Sequence, residues 1–393
     1  MFNIVTDRIV QGKPYPALAQ HRAEPYTAAW REFADHSPYT VPVELVEYCR
    51  EHGVEYQLYT TDAYPADSYY AIHLGWFDFT VDYIALLPDQ VRNDVKARRL
   101  RILFYYHEGD DPAKIKVRLD ALCRLHELTD NVYKFVSGNT RANLLENFVY
   151  FCDHELLYYN RNKNDEKILK TSGSLMRMFT CLSRTHQWWR ATALADLYRR
   201  NLLDNSYWSY NPNITVGNRI EDCPIEIDTL NIRQDLTEFM CNGPYRADTL
   251  SPEDHNNHTL TVEEHYSNSY CNIVFETLFD ADGSGGAFLT EKTFKPIKHG
   301  QPFVVAGCAG SLQVLRDLGY RVFDRVIDNR YDTIADNTLR WITLRGVIES
   351  IKHSDLDVFQ QQCAADVEHN RSLFLSSKAD RLNMLSRKIQ NDQ

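Results

Sequence analysis

The stretch from residue 100 to residue 136 constrains this chain most. LRILFYY (100–106) is dense in β-branched and aromatic residues, as strands are. The next segment, DPAKIKVRLDALCRLHEL, opens with Asp111 as an N-cap and Pro112 at the first helical position. It then sets Ile115, Leu119, Leu122 and Leu125 on one face. VYKFV (132–136) reads as a second strand. Strand, short loop, helix and strand make a βαβ unit, and a helical crossover of this kind joins parallel strands.

The same alternation recurs along the chain. VEYQLYT (54–60), YYAIHLG (69–75) and NFVYFC (147–152) read as further strands. RNKNDEKILKTSGS, near 160–173, is polar and charged and reads as a linker. Beyond it, SLMRMFTCLS (174–183), YWSY (207–210), SYCNIVFET (269–277), PFVVAG (302–307) and YRVF (320–323) read as strands. The segments 186–203, 225–240 and 311–318 read as helices, and the chain from Asp332 onward reads as a helical tail. The expectation is an α/β protein of two Rossmann-like domains: 1–165, 166–355, and a helical tail over 356–393. Ligands of such folds bind outside the carboxyl ends of the parallel strands.

Charge and cysteine usage narrow the function classes. Lys and Arg total 43 against 54 Asp and Glu, a net charge of -11 with His neutral, which opposes a general polyanion-binding surface. Any phosphate site must be local. One candidate region is 161–200, where nine basic residues stand against three acidic ones. The nine cysteines lie singly, with no C-x-x-C, as expected of reduced thiols in a cytoplasmic protein. The first residues lack a basic segment followed by an apolar core, and no apolar run approaches about 18 residues, so neither a signal peptide nor a membrane span is expected.

The densest segment is NIVFETLFDADGSGGAFLTEKTFKPIKHGQPFVVAGCAGSL, residues 272–312. It reads as a strand, an acidic glycine-rich loop, a helix starting at Thr290-Glu291-Lys292, and an apolar strand. A helix N-terminus carries free N–H groups and partial positive charge, and a first-turn lysine adds a full charge, which suits a diphosphate. Glu291 can accept hydrogen bonds from the paired hydroxyls of a ribose or hexose, and Gly283, Gly285 and Gly286 permit close approach of the backbone. Pro296 predicts a short or kinked helix. The same residues also fit a calcium loop, with Asp280, Asp282, Ser284 and Glu291 at ligand positions, and this supports an alternative calcium-binding interaction protein. The strand-like segment before the loop and Pro296 after it weigh against an EF-hand.

F-E-T, a variable loop, L-T-E-K, a short helix and Q-P-F-V-V-A-G together resemble the donor-site motif of α1,3-fucosyltransferase-like enzymes and related phage and viral glycosyltransferases. SLQVLRDLGYRVFD, with Ile327, Asp328, Tyr331 and Asp332, is similar to the viral branch. The resemblance covers 268–335 closely and 100–210 loosely. It implies the GT-B fold, with two Rossmann-like domains facing a central cleft. The implied activity is transfer of a sugar from a nucleotide-diphosphate donor to an acceptor hydroxyl, by inversion and with no cofactor or obligatory metal. Glu291 and Lys292 fall on the family's ribose-contacting and phosphate-contacting pair, and Glu276 and Thr277 on its donor-facing strand end. An arginine after the first donor-domain strand corresponds to Arg184 or Arg190, with Arg184 preferred at the strand end. A guanidinium fork there would clamp a departing diphosphate.

A base must deprotonate the acceptor. HEGDDP (107–112) follows a strand and precedes a helix, and it resembles the family's glutamate-bearing base loop, with Gly109 in place of the family's serine and the proline displaced to Pro112. Glu108 is the expected base and His107 the competitor, its ordinary pKa being nearer neutrality. The alternative is that Asp110 and Asp111 only cap the helix while Glu108 is solvated. A glycan, a protein or a small molecule is the acceptor class that the net charge favours. A viral DNA-base acceptor remains an alternative through the basic run VRNDVKARRLR (91–101).

Overall fold

The computed structural model describes residues 2–6, 8–10, 13–15, 43–74, 77–129, 131–162, 177–183, 185–212, 219–247, 262–280 and 286–390. They form an α/β protein with two parallel sheets and 13 helices, divided into two units: 1–156 with 377–393, and 157–376.

In the first unit the strands are β1 (Phe2–Thr6), β4 (Tyr56–Thr60), β5 (Ser68–Leu74), β6 (Leu100–Tyr106), β7 (Tyr133–Ser137) and β8 (Phe148–Tyr150). β2 (Arg8–Val10) and β3 (Lys13–Tyr15) form a separate antiparallel pair. The six-stranded sheet runs β4-β1-β5-β6-β7-β8, parallel throughout. The helices are α1 (Val43–Glu51), α2 (Asp89–Lys96), α3 (Pro112–Leu125), α4 (Asp153–Asn162) and, at the far end of the chain, α13 (Lys378–Gln390).

Strand side chains alternate between two cores because their period is two. Leu100, Ile102, Phe104 and Tyr106 of β6 join one core with Val91 and Val95 of α2 and Ile115, Leu119 and Leu122 of α3. Leu103 and Tyr105 join the other, with Leu45 and Cys49 of α1, Leu156 of α4, and Leu382, Leu385 and Ile389 of α13. Helices therefore cover both faces of the sheet. Counting the sheet's strands in chain order gives 2-1-3-4-5-6, which places the topological switch between β1 and β5.

The second unit repeats the pattern. Its strands are β9 (Arg177–Ser183), β10 (Tyr207–Tyr210), β11 (Ser269–Phe275) and β12 (Phe303–Ala306), ordered β10-β9-β11-β12 and parallel. In chain order this is again 2-1-3-4, with the switch between β9 and β11. Its helices are α5 (Trp188–Arg199), α6 (Ile227–Leu230), α7 (Arg233–Asn242), α8 (Glu263–Ser267), α9 (Glu291–Lys298), α10 (Ser311–Asp317), α11 (Asn337–Lys352) and α12 (Leu356–Ser376).

Three sequence expectations are revised. The tail expected over 356–393 is divided, α12 belonging to the second unit and α13 to the first. The boundary near 165 falls earlier, after Leu156 within α4, and residues 160–162 of the expected linker are helical. The rest of that linker lies outside the described residues. YRVF (320–323) is not a strand: Phe323 has φ 63°, and the Asn370 side chain of α12 takes both the N–H and the C=O of Arg321, at 2.7 Å each, where a neighbouring strand would bond.

α13 is anchored by charge as well as by apolar contact. Glu155, fully buried, accepts from Lys378 Nζ at 2.7 Å, Ser377 Oγ at 3.1 Å and Arg381 Nε at 3.1 Å. Removing one partner of a buried pair strands the other charge. Lys378→Ala should lower the unfolding free energy by about 3 kcal/mol, the low end of the usual cost, since Arg381 and Ser377 still reach Glu155. Urea unfolding followed by circular dichroism measures this, and an unchanged midpoint would show that the pair contributes nothing net.

Candidate functional site

In the second unit the sequence-selected residues gather at the carboxyl end of β11. Glu276, the residue after that strand, is fully buried, and its carboxylate accepts four hydrogen bonds. Oε1 receives Thr290 N–H at 3.1 Å and Thr293 Oγ1 at 2.5 Å, while Oε2 receives Thr290 Oγ1 at 2.6 Å and Thr277 N–H at 3.2 Å. A carboxylate saturated in this way organises its surroundings rather than contacting a ligand. It pins the start of α9 to the end of β11.

Thr290 is the N-cap of α9, accepting from the N–H of Lys292 at 3.4 Å. Glu291 is buried, and its Oε1 lies 3.1 Å from Lys292 Nζ. That ammonium also donates to Thr277 Oγ1 at 3.3 Å and Thr290 Oγ1 at 3.2 Å, and 29% of the Lys292 side chain stays exposed. A positive group therefore stands at the helix N-terminus where the dipole adds to it. Pro296 sits inside α9, which is short as expected at 8 residues.

Arg190, expected on the donor's diphosphate, is bonded within the protein. Only 2% exposed, it donates through Nε and Nη2 to the Glu276 carbonyl at 3.2 and 2.7 Å, and through Nη1 to Thr185 Oγ1 at 2.9 Å. Burial pushes its pKa down to about 10, with Glu276 and Glu291 opposing the shift. Its guanidinium braces the gap between the β9–α5 turn and the end of β11, which is the switch point of this sheet. Arg184, Asp282 and Ser284 lie outside the described residues. The element entering the proposed calcium loop is strand β11, not a helix. Among the described residues no group of three or more His, Cys, Asp or Glu is placed to hold a metal ion.

Tyr331 and Asp332 of the viral-like segment are structural. The Tyr331 hydroxyl accepts the Val305 N–H of edge strand β12 at 3.2 Å, and the Asp332 carboxylate accepts the N–H groups of Leu312 and Gln313 at 3.0 and 3.3 Å. The start of α10 is thus already occupied by an internal anion.

In the first unit the loop after β6 holds His107 and Glu108, as its position predicts. Asp111 caps α3, accepting Ala113 N–H at 3.0 Å, and the Tyr106 hydroxyl donates to Asp110. Asn139 Nδ2 donates to the Gly109 carbonyl at 3.0 Å, and Gly138 N–H to the Glu108 carbonyl at 3.2 Å, so the turn after β7 holds this loop. Two histidines that the sequence reading passed over join it: His73 near the end of β5, and His154 in the first turn of α4. The recoverable signal was their position, since each closes or follows a parallel strand. Small hydroxyls at strand ends carry the same signal: the side-chain hydroxyls of Thr6, which ends β1, Ser183 of β9 and Ser209 of β10 are buried with no hydrogen-bond partner among the described residues.

His186, in the turn after β9, was also missed. It is buried, its Nδ1 lies 2.6 Å from the Tyr210 hydroxyl, and burial lowers its pKa from the ordinary 6.5. The unfolded chain therefore takes up this proton more readily than the folded one. The resulting stability is complete above about pH 6.5 and is lost as pH falls toward the folded value. Between pH 7.5 and 5.5 the wild type should lose more melting temperature than His186→Gln, read by differential scanning calorimetry. Equal losses would remove His186 from this account. Comparison with known protein families, curated proteins and solved structures yields no match.

Proposed function

We propose that the chain is a glycosyltransferase of GT-B type, moving a sugar from a nucleotide diphosphate to an acceptor hydroxyl by single displacement with inversion. The observation that carries this reading is Lys292, its side chain 29% exposed, at a capped helix N-terminus, beside Glu291, at the carboxyl end of a parallel strand. That is where open α/β sheets take phosphorylated ligands. Two units of the same 2-1-3-4 strand order support the architecture.

In this reading the second unit holds the donor. Lys292 and the α9 N–H groups stabilise the charge that develops on the departing diphosphate, and Glu291 accepts from the ribose hydroxyls. Such donors act best when fixed in advance. Glu276 and Arg190 are positioning residues: one holds the α9 start, and the other holds the carbonyl of the first. The first unit supplies the base, Glu108, whose side chain is 41% exposed. No metal or cofactor enters the scheme. Neither the sugar nor the nucleotide is specified by these residues. The acceptor is a glycan, protein or small-molecule hydroxyl, the class that a net charge of -11 admits more readily than DNA.

A thermal-shift panel of nucleoside diphosphates and nucleotide sugars, without added metal, tests the reading. A ligand at a hundred times its Kd should stabilise the chain by about 2.7 kcal/mol. Lys292→Ala should lose that shift and at least tenfold in turnover, the scale of one electrostatic donor. No shift with any member, or full turnover in Lys292→Ala, would overturn the assignment.

Glu276→Gln probes the scaffold beneath it. An amide must turn N–H donors toward groups that themselves donate. It should cost about 2 kcal/mol of stability, within the range for hydrogen bonds to a charged group, as measured by urea unfolding. A neutral outcome would show that the four bonds do not hold the helix start.

A further inference from the structure

At the carboxyl ends of β5 and β6 three titratable side chains stand in a row. Glu108 Oε1 lies 3.4 Å from His107 Nε2, and His107 Nδ1 lies 3.1 Å from His73 Nε2. The two imidazoles are 5.2 Å apart between centroids and tilted by 35°. Exposure falls along the row, from 41% for the Glu108 side chain to 18% for His107. His107 thus has a carboxylate at one ring nitrogen and a second imidazole at the other.

The surroundings are titratable as well. Tyr105 of β6 sets its ring edge-on to His73 at 6.1 Å and donates its hydroxyl to Asp153 Oδ1. His154 of α4 meets the His107 ring edge-on at 5.7 Å. Asp110 is engaged by Tyr106. Among the described residues, Glu108, Asp110, Asp153, His154, Tyr105 and Tyr106 are titratable groups that face or adjoin the pair.

We propose that Glu108, His107 and His73 form a proton relay in which Glu108 takes the acceptor's proton, His107 stores it, and His73 is the positioning residue that fixes the tautomer. This rests on the reading above only for the source of the proton. The need is thermodynamic: a carboxylate of ordinary pKa about 4.3 is a poor resting place for a proton at neutral pH, and an imidazole near 6.5 is a better one. The relay requires the His107 proton on Nδ1, donated to His73 Nε2, so that His107 Nε2 can accept from Glu108 once that carboxyl has taken up the proton.

The acceptor O–H bond then breaks as its electron pair attacks the anomeric carbon, and the bond from that carbon to the diphosphate oxygen breaks with its pair leaving on the diphosphate. The proton bonds first to Glu108 and then to His107 Nε2, restoring the carboxylate. The imidazolium so formed lies between an anion and a hydrogen-bond acceptor. After the products leave, the proton returns to solvent through Glu108.

The test follows the histidine ring resonances of the full chain by NMR across pH, in the wild type, His73→Phe, His73→Gln and Glu108→Gln, with amide spectra confirming that each variant is folded. In the wild type His107 should titrate together with His73. His73→Phe keeps the ring shape but cannot accept, and should lower the His107 midpoint by about 0.5 pH or more. Glu108→Gln should lower it as well, through loss of the anion. His73→Gln, whose side-chain carbonyl can accept from Nδ1–H, should return it toward the wild-type value. In turnover of a nucleotide sugar, His73→Phe should cut kcat about tenfold with KM little changed and move the acid limb of the pH profile, while His73→Gln recovers both. A His107 midpoint indifferent to His73 in a protein that turns over donor overturns the relay alone. The coupled titration in a protein that binds no nucleotide diphosphate or nucleotide sugar supports the relay and overturns the donor reading.

Discussion

The second unit depends on one buried carboxylate. Glu276 ends β11 by turning both oxygens onto residues 277–293, and its own carbonyl is held by Arg190. Burying a charge is costly unless every lone pair finds a donor, and here four donors do so. The geometry that follows is narrow. The Thr290 hydroxyl that caps α9 also serves Glu276, and the Thr277 whose hydroxyl Lys292 reaches is held at its backbone by the same carboxylate. Gly307 shows how tight the arrangement is, for a Cβ there would stand 3.4 Å from that of Glu276 and 3.0 Å from Ser311 Oγ. The lysine is thus held by a scaffold that has met its own electrostatic needs, its ammonium resting on Thr277, Thr290 and Glu291 while 29% of the side chain stays exposed.

The βαβ alternation was legible because it rests on local chemistry. Asp111 and Pro112 start α3 where they should, and β6 and β10 span the residues that their composition marks. What failed had non-local causes. YRVF has the composition of a strand, yet Asn370, about fifty residues away, satisfies the backbone and removes the need for a neighbour. α13 reads as part of a tail, and only the buried Glu155 and the apolar face of Leu382, Leu385 and Ile389 return it to the first unit. The N-terminal strand β1, interior to its sheet, lies ahead of the first segment, 54–60, whose composition reads as a strand.

Roles were less legible than places. The segment 272–312 was singled out by composition, and its residues do converge, but a strand-end glutamate and a helical arginine look the same in sequence whether they face a ligand or brace a loop. Burial separates the two. Glu276 and Arg190 are interior and saturated with partners, Lys292 keeps part of its surface, and Glu108 keeps more. His73 was hidden for the opposite reason, since a histidine at the end of an apolar strand is ordinary until the neighbouring strand proves to end in another.

The two units repeat one topology and divide the chemistry. Each ends its parallel strands at a switch point, where the loops splay apart and side chains from different strands can converge. Around the first unit's strand ends lie imidazoles and a carboxylate, groups that can take and release a proton. Around the second lie an ammonium, a buried guanidinium that braces the strand end, and a helix N-terminus. In the reading proposed above, the first set handles the proton and the second the departing anion. With a net charge of -11 an anion site on this chain has to be local, and the α9 start is one place among the described residues where a helix N–H end and a lysine coincide.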